Sequence, residues 1–183
     1  MTSPDALLVT ETDVAAFVDE DDDTYQQQRI AEVVAAVRTY CGWHIAPART
    51  ETLVVDGPGG PVLQLPTLHV TAVESVTELG KPLTASAGYS WSARGSLRRQ
   101  PRGTWWTDEY RAIEVRLTHG HPVAPADIVG VVMDRALTAA ASPAGQPAEK
   151  MGPFEFGGSA GTAAAFLDSQ YAILDRYRLE PPP

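Results

Sequence analysis

The sequence has a single cysteine and no long run of apolar residues. Cys41 has no second cysteine with which to form an internal disulfide, and no set of cysteines has the spacing of a structural zinc site. No stretch approaches the roughly 20 apolar residues that a membrane-spanning helix needs. The N-terminus also lacks the basic segment and apolar core of a signal peptide. We therefore expect synthesis in the cytoplasm and no membrane partner.

Basic residues are also scarce. The 183 residues include 14 Lys and Arg against 23 Asp and Glu, which gives a net charge of −9 at pH 7. A surface of this charge repels the phosphates of nucleic acid unless basic residues are concentrated locally. Recognition of a DNA sequence is therefore disfavoured.

The chain has one local concentration of basic and aromatic residues. It consists of Arg94, Arg98, Arg99, Arg102, Trp105 and Trp106. Because arginine and tryptophan are enriched in protein interfaces, we predict that Arg98, Trp105 and Trp106 contact another subunit. The alternative is a nucleic-acid-binding module that uses the Arg94–Arg102 loop for phosphate contacts and base stacking.

No combination of residues has the pattern of a catalytic site. His119-Gly120-His121 is the best candidate for a metal-binding pair, and the alternative function that it suggests is a small metal-dependent hydrolase. A metal site needs further ligands at matching positions, and the sequence indicates none. Cys41 lies on the apolar side of a predicted helix, which is typical of a buried, inert thiol. We expect no enzymatic activity and no cofactor.

Helical periodicity predicts four helices, near residues 12–18, 22–41, 125–141 and 162–179. The second helix follows an acidic run whose negative charge suits a helix N-terminus. The run consists of Asp19, Glu20, Asp21, Asp22 and Asp23. Gly42 is expected to end this helix. The third helix has an apolar surface wider than one core-facing stripe, so we predict that Ile128, Val132 and Leu137 contact a second copy of the chain.

Between the second and third helices, short apolar runs divided by Gly and Pro predict an antiparallel β subdomain. Residues 50–55 and 61–65 flank the turn Asp56-Gly57-Pro58-Gly59-Gly60, which predicts a hairpin. Residues 70–79 and 112–117 predict strands, and residues 89–91 and 96–98 predict a second hairpin. Because no helices separate these strands, the sequence disfavours a doubly wound nucleotide-binding sheet.

The C-terminal region begins with a Gly- and Pro-rich segment, residues 144–161, which predicts an arm without regular structure. Thr162 is the expected N-cap of the last helix. A free tail would expose the apolar surface of this helix to water, so we predict that it docks on a partner protein. Packing against the chain's own helices is the alternative. The candidate docking residues are Phe166, Leu167, Tyr171, Leu174, Arg176, Tyr177 and Arg178.

Six segments, in their order and spacing, resemble a head-to-tail adaptor of long-tailed phages that infect actinobacteria. They are Tyr40-Cys41-Gly42-Trp43-His44-Ile45-Ala46-Pro47, Leu65-Pro66-Thr67-Leu68-His69-Val70, Tyr89-Ser90-Trp91-Ser92, Thr118-His119-Gly120-His121, Pro125-Ala126-Asp127 and Leu174-Asp175-Arg176-Tyr177-Arg178. The resemblance runs nearly from end to end. The insert, roughly residues 49–118, is larger than in minimal connectors.

The resemblance implies a structural protein of the virion with no enzymatic activity. Its copies would form a dodecameric ring between the portal protein and the tail-side connector or stopper protein, with the C-terminal region on the portal. Genomic DNA would pass through the ring without sequence recognition. Because a wall of negative charge repels phosphates, we expect acidic residues at this channel, with Asp19 to Asp23 as candidates.

Together these elements predict an α+β fold, a small helical bundle with an inserted antiparallel β subdomain. The expected parts are the N-terminal helices in residues 1–48, the β subdomain in 49–121, the central helix in 122–143, and the arm and docking helix in 144–183.

Overall fold

The structure, a computed structural model, describes Leu8 and residues 23–141, 149–151, 154–156 and 166–180. The predicted helix 12–18 and residues Asp19 to Asp22 lie outside the described residues. The fold is α+β, as predicted. In chain order the described elements are helix α1 (Asp23–Cys41), strands β1 (Arg49–Val55), β2 (Val62–Gln64), β3 (Val70–Glu78), β4 (Lys81–Leu83), β5 (Tyr89–Trp91), β6 (Ser96–Arg99) and β7 (Ile113–His119), helix α2 (Ala126–Ala141), strands β8 (Glu149–Met151) and β9 (Phe154–Phe156), and helix α3 (Asp168–Leu174) followed by a 3-10 turn, Asp175–Tyr177.

The chain divides into two units. The helical unit consists of Met1–Cys41 and Ala124–Arg176, and the β unit consists of Gly42–Val123 and Tyr177–Pro183. The described residues 177–180 therefore belong to the β unit. None of the described helices is both long enough and apolar enough to cross a membrane.

Helix α1 is amphipathic in the way that its sequence predicts. The buried residues follow helical spacing, so one face of α1 packs into the helical unit; they are Ile30, Val33, Val34, Val37 and Cys41. Gly42 follows the helix with a φ of +80°, a conformation that glycine adopts without steric cost. The predicted end of this helix is thus confirmed.

Helix α2 packs against α1 in the helical unit. Ile128 and Val132 have no exposed side-chain surface, because both belong to the core of the unit. The prediction that they contact a second copy is therefore wrong, since neither has surface left to offer. Leu137 is 43% exposed and stays a candidate contact.

Helix α3 is much shorter than the predicted helix 162–179. It begins at Asp168, and the N–H of Leu167 donates to Gln170 Oε1 at 3.0 Å. Leu167 therefore occupies the N-cap position, and the N-cap predicted at Thr162 lies outside the described residues. The 3-10 turn that follows ends at Tyr177.

Part of the predicted arm has regular structure. Strands β8 and β9 pair antiparallel with Lys150 opposite Glu155. The prediction of an arm without regular structure is wrong for residues 149–151 and 154–156, because these residues pair as two antiparallel strands.

The β unit contains two antiparallel sheets, with strand orders β1-β7-β3-β4 and β2-β6-β5. In β7 the residues alternate between buried and exposed, so one face of the first sheet covers the core. The second sheet contributes Leu63 and Leu97 to the same core. The complete buried set is Leu63, Leu65, Val70, Val76, Tyr89, Leu97, Trp106, Ile113, Val115 and Leu117.

The hairpin predicted across residues 50–65 does not form. Strand β1 pairs with β7, from Arg49 opposite His119 to Val55 opposite Ile113, and β2 pairs with β6 in the other sheet. The Gly-rich turn instead joins the two sheets: Gly57 N–H donates to Glu109 O at 2.8 Å and Gly59 N–H to Thr107 O at 3.0 Å. The predicted hairpin of β5 and β6 is confirmed.

Candidate functional site

Strand β6 and its neighbouring loops position the predicted arginines. Arg98 lies opposite Val62 of β2 and Ser90 of β5. The preceding residue, Leu97, is fully buried, and because side chains alternate along a strand, Arg98 lies on the outer face of the sheet. Arg94 in the turn before β6 and Arg102 in the loop after it are also exposed.

Trp105 extends this surface. It is 67% exposed, while the next residue, Trp106, is 2% exposed and part of the core. The N–H of Trp106 donates to Gly60 O at 2.8 Å, beside Pro61 and β2. We define the arginine surface as Arg94, Arg98, Arg102 and Trp105.

Arg99 and Trp106 have a different role from the one predicted. The Arg99 guanidinium donates to Glu78 Oε2 at 3.1 Å and to Gly88 O at 2.6 Å, and it lies 5.5 Å from the Trp106 ring centroid. Glu78 Oε1 accepts the N–H of Thr107 at 2.8 Å. Trp106 was predicted to contact another subunit, and this is wrong because its ring is buried by the chain itself.

All four histidines of the chain lie close together in the β unit. The rings of His44 and His119 meet edge to face at 4.5 Å, and those of His69 and His121 stack at 4.2 Å. The Trp43 ring lies 5.8 Å from His44. The sequence predicted a pair at His119 and His121, but it did not predict that His44 and His69 join them.

Hydrogen bonds place these rings individually. His119 Nε2 and Glu51 Oε1 form a hydrogen bond of 2.7 Å, and Arg49 donates to the same oxygen at 3.1 Å. His44 Nε2 lies 3.1 Å from Pro47 O, and His69 Nδ1 lies 3.0 Å from Gly120 O. Each of these three rings is thus held by an oxygen of the protein.

Burial lowers the pKa of two of the histidines. Burial, the Arg49 charge and His119 lower the pKa of His44 to about 4. Burial also lowers the pKa of His119, although Glu51 opposes this effect. Burial favours a raised pKa for Glu51, but the hydrogen bonds and charges of His119 and Arg49 outweigh it and the pKa is lowered.

The histidine cluster does not form a metal site. Among the described residues, no group of three or more His, Cys, Asp and Glu is placed to hold a metal ion. His119 is 2% exposed and directed to Glu51, while His121 stacks on His69. The spacing of His119 and His121 therefore reflects packing, because the two rings have different neighbours.

The predicted docking residues fall into two groups. Leu174 is fully buried in the helical unit, where its carbonyl accepts a hydrogen bond from the Cys41 thiol at 3.8 Å. It is therefore wrong as a docking residue, because its side chain belongs to the core. Tyr171 is half-buried, and its ring lies 5.0 Å from Tyr40 and 5.6 Å from Phe166.

The remaining docking candidates are more accessible. Leu167 is 58% exposed, and Arg176 and Arg178 are exposed. Tyr177 is half-buried in the β unit, where its carbonyl accepts the Trp43 indole N–H at 2.7 Å. Two further bonds hold the residues before it within the helical unit: Tyr40 Oη donates to Asp175 Oδ1 at 2.6 Å, and Gln170 Nε2 donates to Asp134 Oδ2 at 2.6 Å.

Three solved structures have a similar fold. A chain in the neck of a native gene transfer agent particle, computed with C12 symmetry, is 15% identical with a TM-score of 0.61, and the match covers 100% of this chain and 94% of that one. A chain in the neck of an empty particle, computed with C6 symmetry, is 16% identical with a TM-score of 0.54, covering 91% and 83%. A chain in the virion of the native particle is 17% identical with a TM-score of 0.55, covering 98% and 88%. No family model and no curated protein matches the sequence.

At such low sequence identity, the similarity to these structures establishes only that the fold is shared. The fold nonetheless covers nearly the whole of both chains, so the helical unit and the β unit occur together in the neck protein. The class that the comparison defines is an α+β protein with the fold of a chain found in the neck of a phage-like particle.

Proposed function

We propose that this chain is a non-enzymatic structural protein of a phage-type virion, a head-to-tail adaptor that forms a ring between the portal protein and the tail-side connector or stopper protein. The observation that carries the proposal is the similarity over the whole chain to a chain in a neck computed with C12 symmetry. We infer a dodecameric ring from this symmetry. The protein is made in the host cytoplasm and becomes part of the virion.

The proposed ring surrounds the genomic DNA without reading its sequence. A net charge of −9 on every copy supports this role, because an acidic channel repels phosphates and does not retain the passing DNA. Asp19 to Asp23 are the proposed channel residues, since they are the longest acidic run in the sequence.

We propose that the portal docks on the exposed part of the C-terminal region. Leu167 supplies apolar surface, and Arg176 and Arg178 supply charge. Exposed ion pairs guide the approach of a partner more than they strengthen the complex. The buried residues of α3, Gln170 and Leu174, hold Leu167 and Arg176 in place within the helical unit.

Electron microscopy and native mass spectrometry of the purified chain test the ring. We expect closed rings of twelve copies that bind the portal protein of the same particle. A chain that stays monomeric at every concentration and does not bind the portal protein would contradict the proposal.

A pair of matched variants tests the docking surface. Leu167→Asp should abolish portal binding while ring assembly is retained, because a charge replaces exposed apolar surface at the proposed contact. Leu79→Asp is the control, since Leu79 is 49% exposed and belongs to the β unit. Equal portal binding by both variants would eliminate Leu167 as a docking residue.

A further inference from the structure

The carboxylates of this chain are unevenly distributed. No Asp or Glu occurs in residues 57–73 or in residues 79–107, although the whole chain has 23 of them. These two stretches contain all three strands of the sheet β2-β6-β5. They also contain the arginine surface. This sheet therefore carries exposed positive charge and no carboxylate of its own, in a protein with a net charge of −9.

The exposed groups of this sheet suit a protein partner with carboxylates. All three cations are arginines, whose planar guanidinium binds a carboxylate with two parallel hydrogen bonds. Trp105 is 67% exposed and Val62 is 38% exposed, so apolar surface lies beside the charges. Tryptophan and arginine together are typical of the residues that contribute most to protein interfaces.

We propose that the arginine surface binds carboxylates of a second copy of this chain, and that this contact closes the ring. The inference rests on the proposed function, because it assigns the contact between neighbouring copies of the ring. The charge of the chain supports a second copy as the partner, since outside the two carboxylate-free stretches every copy is strongly acidic.

The same charge distribution explains how a ring forms in preference to a pair. In a ring of more than two copies, one surface of each copy meets a different surface of the next. Two arginine surfaces repel each other, and so do two acidic surfaces. Contact between an arginine surface and an acidic surface is favourable, which allows each copy to bind one neighbour on each side.

Charge reversal tests the inference in the full-length protein. The variant Arg94→Glu/Arg98→Glu/Arg102→Glu should remain folded, because all three side chains are exposed. We expect it to be monomeric at concentrations at least tenfold above those at which the wild type forms rings, by light scattering and native mass spectrometry, since like charges now face each other. Wild-type rings should also dissociate as the salt concentration rises.

A matched control carries the same change in charge at other positions. Lys81→Glu/Arg111→Glu/Arg116→Glu alters three exposed residues of the β unit outside the sheet β2-β6-β5. Arg116 is ion-paired with Glu74, an exposed pair whose loss costs about 1 kcal/mol or less. It should form rings as the wild type does. Normal ring assembly by the arginine-surface variant would overturn the inference while the proposed function stands. A wild-type chain that forms no ring would contradict both.

Trp105→Ala provides a second test without a change in charge. Because Trp105 is largely exposed, the variant should keep its thermal stability, and we expect ring assembly about tenfold weaker. Unchanged assembly by this variant would also count against the inference.

Duplex DNA is the competing ligand. Binding of a short duplex is measured by fluorescence anisotropy for the wild type and for the arginine-surface variant. If the variant forms normal rings but loses DNA affinity that the wild type has, the arginine surface binds phosphates and the inference is wrong. Loss of rings without any measurable DNA affinity in either protein supports the inference.

Discussion

At the scale of single residues, the histidine cluster depends on close packing. Ile45 has a φ of +63°, an unusual conformation for a β-branched residue, and it is fully buried. Its carbonyl accepts the His121 N–H at 2.7 Å. The core thus holds this segment in a strained conformation that brings His44 toward His119.

Gly120 is predicted to be intolerant of any side chain. It has a φ of +96°, and a Cβ there would overlap His44 Nε2 and lie 2.9 Å from Pro47 O. Gly120→Ala should destabilise the protein by roughly 2–5 kcal/mol, from backbone strain and overpacking together. Gly80→Ala is the matched control, because Gly80 has a φ of +73° with nothing within 4 Å, and it should cost only about 1–2 kcal/mol. Urea unfolding measures both losses of stability. If the two variants lose the same free energy of unfolding, the neighbouring atoms have moved to relieve the overlap at residue 120.

The stability of the protein should fall in mild acid. His44 has a pKa of about 4 in the folded chain against 6.5 ordinarily, so the unfolded chain binds more protons between these values. The contribution of uncharged His44 to the free energy of unfolding is complete above pH 6.5. It falls by roughly 3 kcal/mol as the pH falls toward 4. Protonation of Glu51, whose pKa is lowered, continues the loss at lower pH.

Urea unfolding between pH 4 and pH 8 measures this dependence. A His44→Gln variant keeps an N–H donor for Pro47 O but has no titrating ring, so its profile should be flatter between pH 4 and 6.5. Identical profiles for the variant and the wild type would assign the pH dependence to other groups.

At the scale of elements, the residue pattern within a segment was enough to predict some helices and strands but not how the strands pair. The 3.6-residue spacing and Gly42 were sufficient for α1, and the alternation in residues 112–117 was sufficient for β7. The pairing of β1 was not predictable in this way. The turn residues 56–60 favoured a hairpin, but the half-buried β1 pairs with a strand more than fifty residues away, and only the complete sheet determines that choice.

Side-chain roles were harder to predict than elements. Arg98 and Arg99 are adjacent and chemically identical, yet one is exposed and the other binds Glu78. The alternation of a strand predicts that they differ, but it does not tell which one faces inward. The histidine cluster could not be predicted either, because only tertiary packing brings His44 to His119 and His69 to His121.

Helix α2 offers a matched pair of substitutions. Val132 is fully buried, so Val132→Asp should prevent folding, because an unpaired charge in the core costs several kcal/mol. Leu137 is 43% exposed, so Leu137→Asp should fold. If Leu137 contacts a second copy, this variant should form rings less readily. Circular dichroism measures folding and light scattering measures assembly; a folded Val132→Asp variant would contradict the packing of α2.

At the scale of the whole molecule, assembly should change how the protein responds to DNA. In the proposed ring the arginine surfaces are covered, and the remaining surface is acidic. We therefore expect the assembled ring to bind duplex DNA no more tightly than roughly 10⁻⁴ M at physiological salt, the weak end of non-specific binding. Fluorescence anisotropy over a range of salt concentrations measures this. Tight binding with a steep salt dependence would mean that cations line the channel.

The division of the chain also has a consequence for its synthesis. Helices α1 and α2 pack together, but residues 42–123 lie between them, so α1 emerges from the ribosome several seconds before its partner at roughly 5–20 residues per second. Two hydrogen bonds form later still, because their acceptors are near the C-terminus. The Trp43 indole donates to the Tyr177 carbonyl, and the Cys41 thiol donates to the Leu174 carbonyl. Neither unit is complete until translation has passed these residues. A copy whose translation stops before Leu174 therefore lacks core contacts of both units.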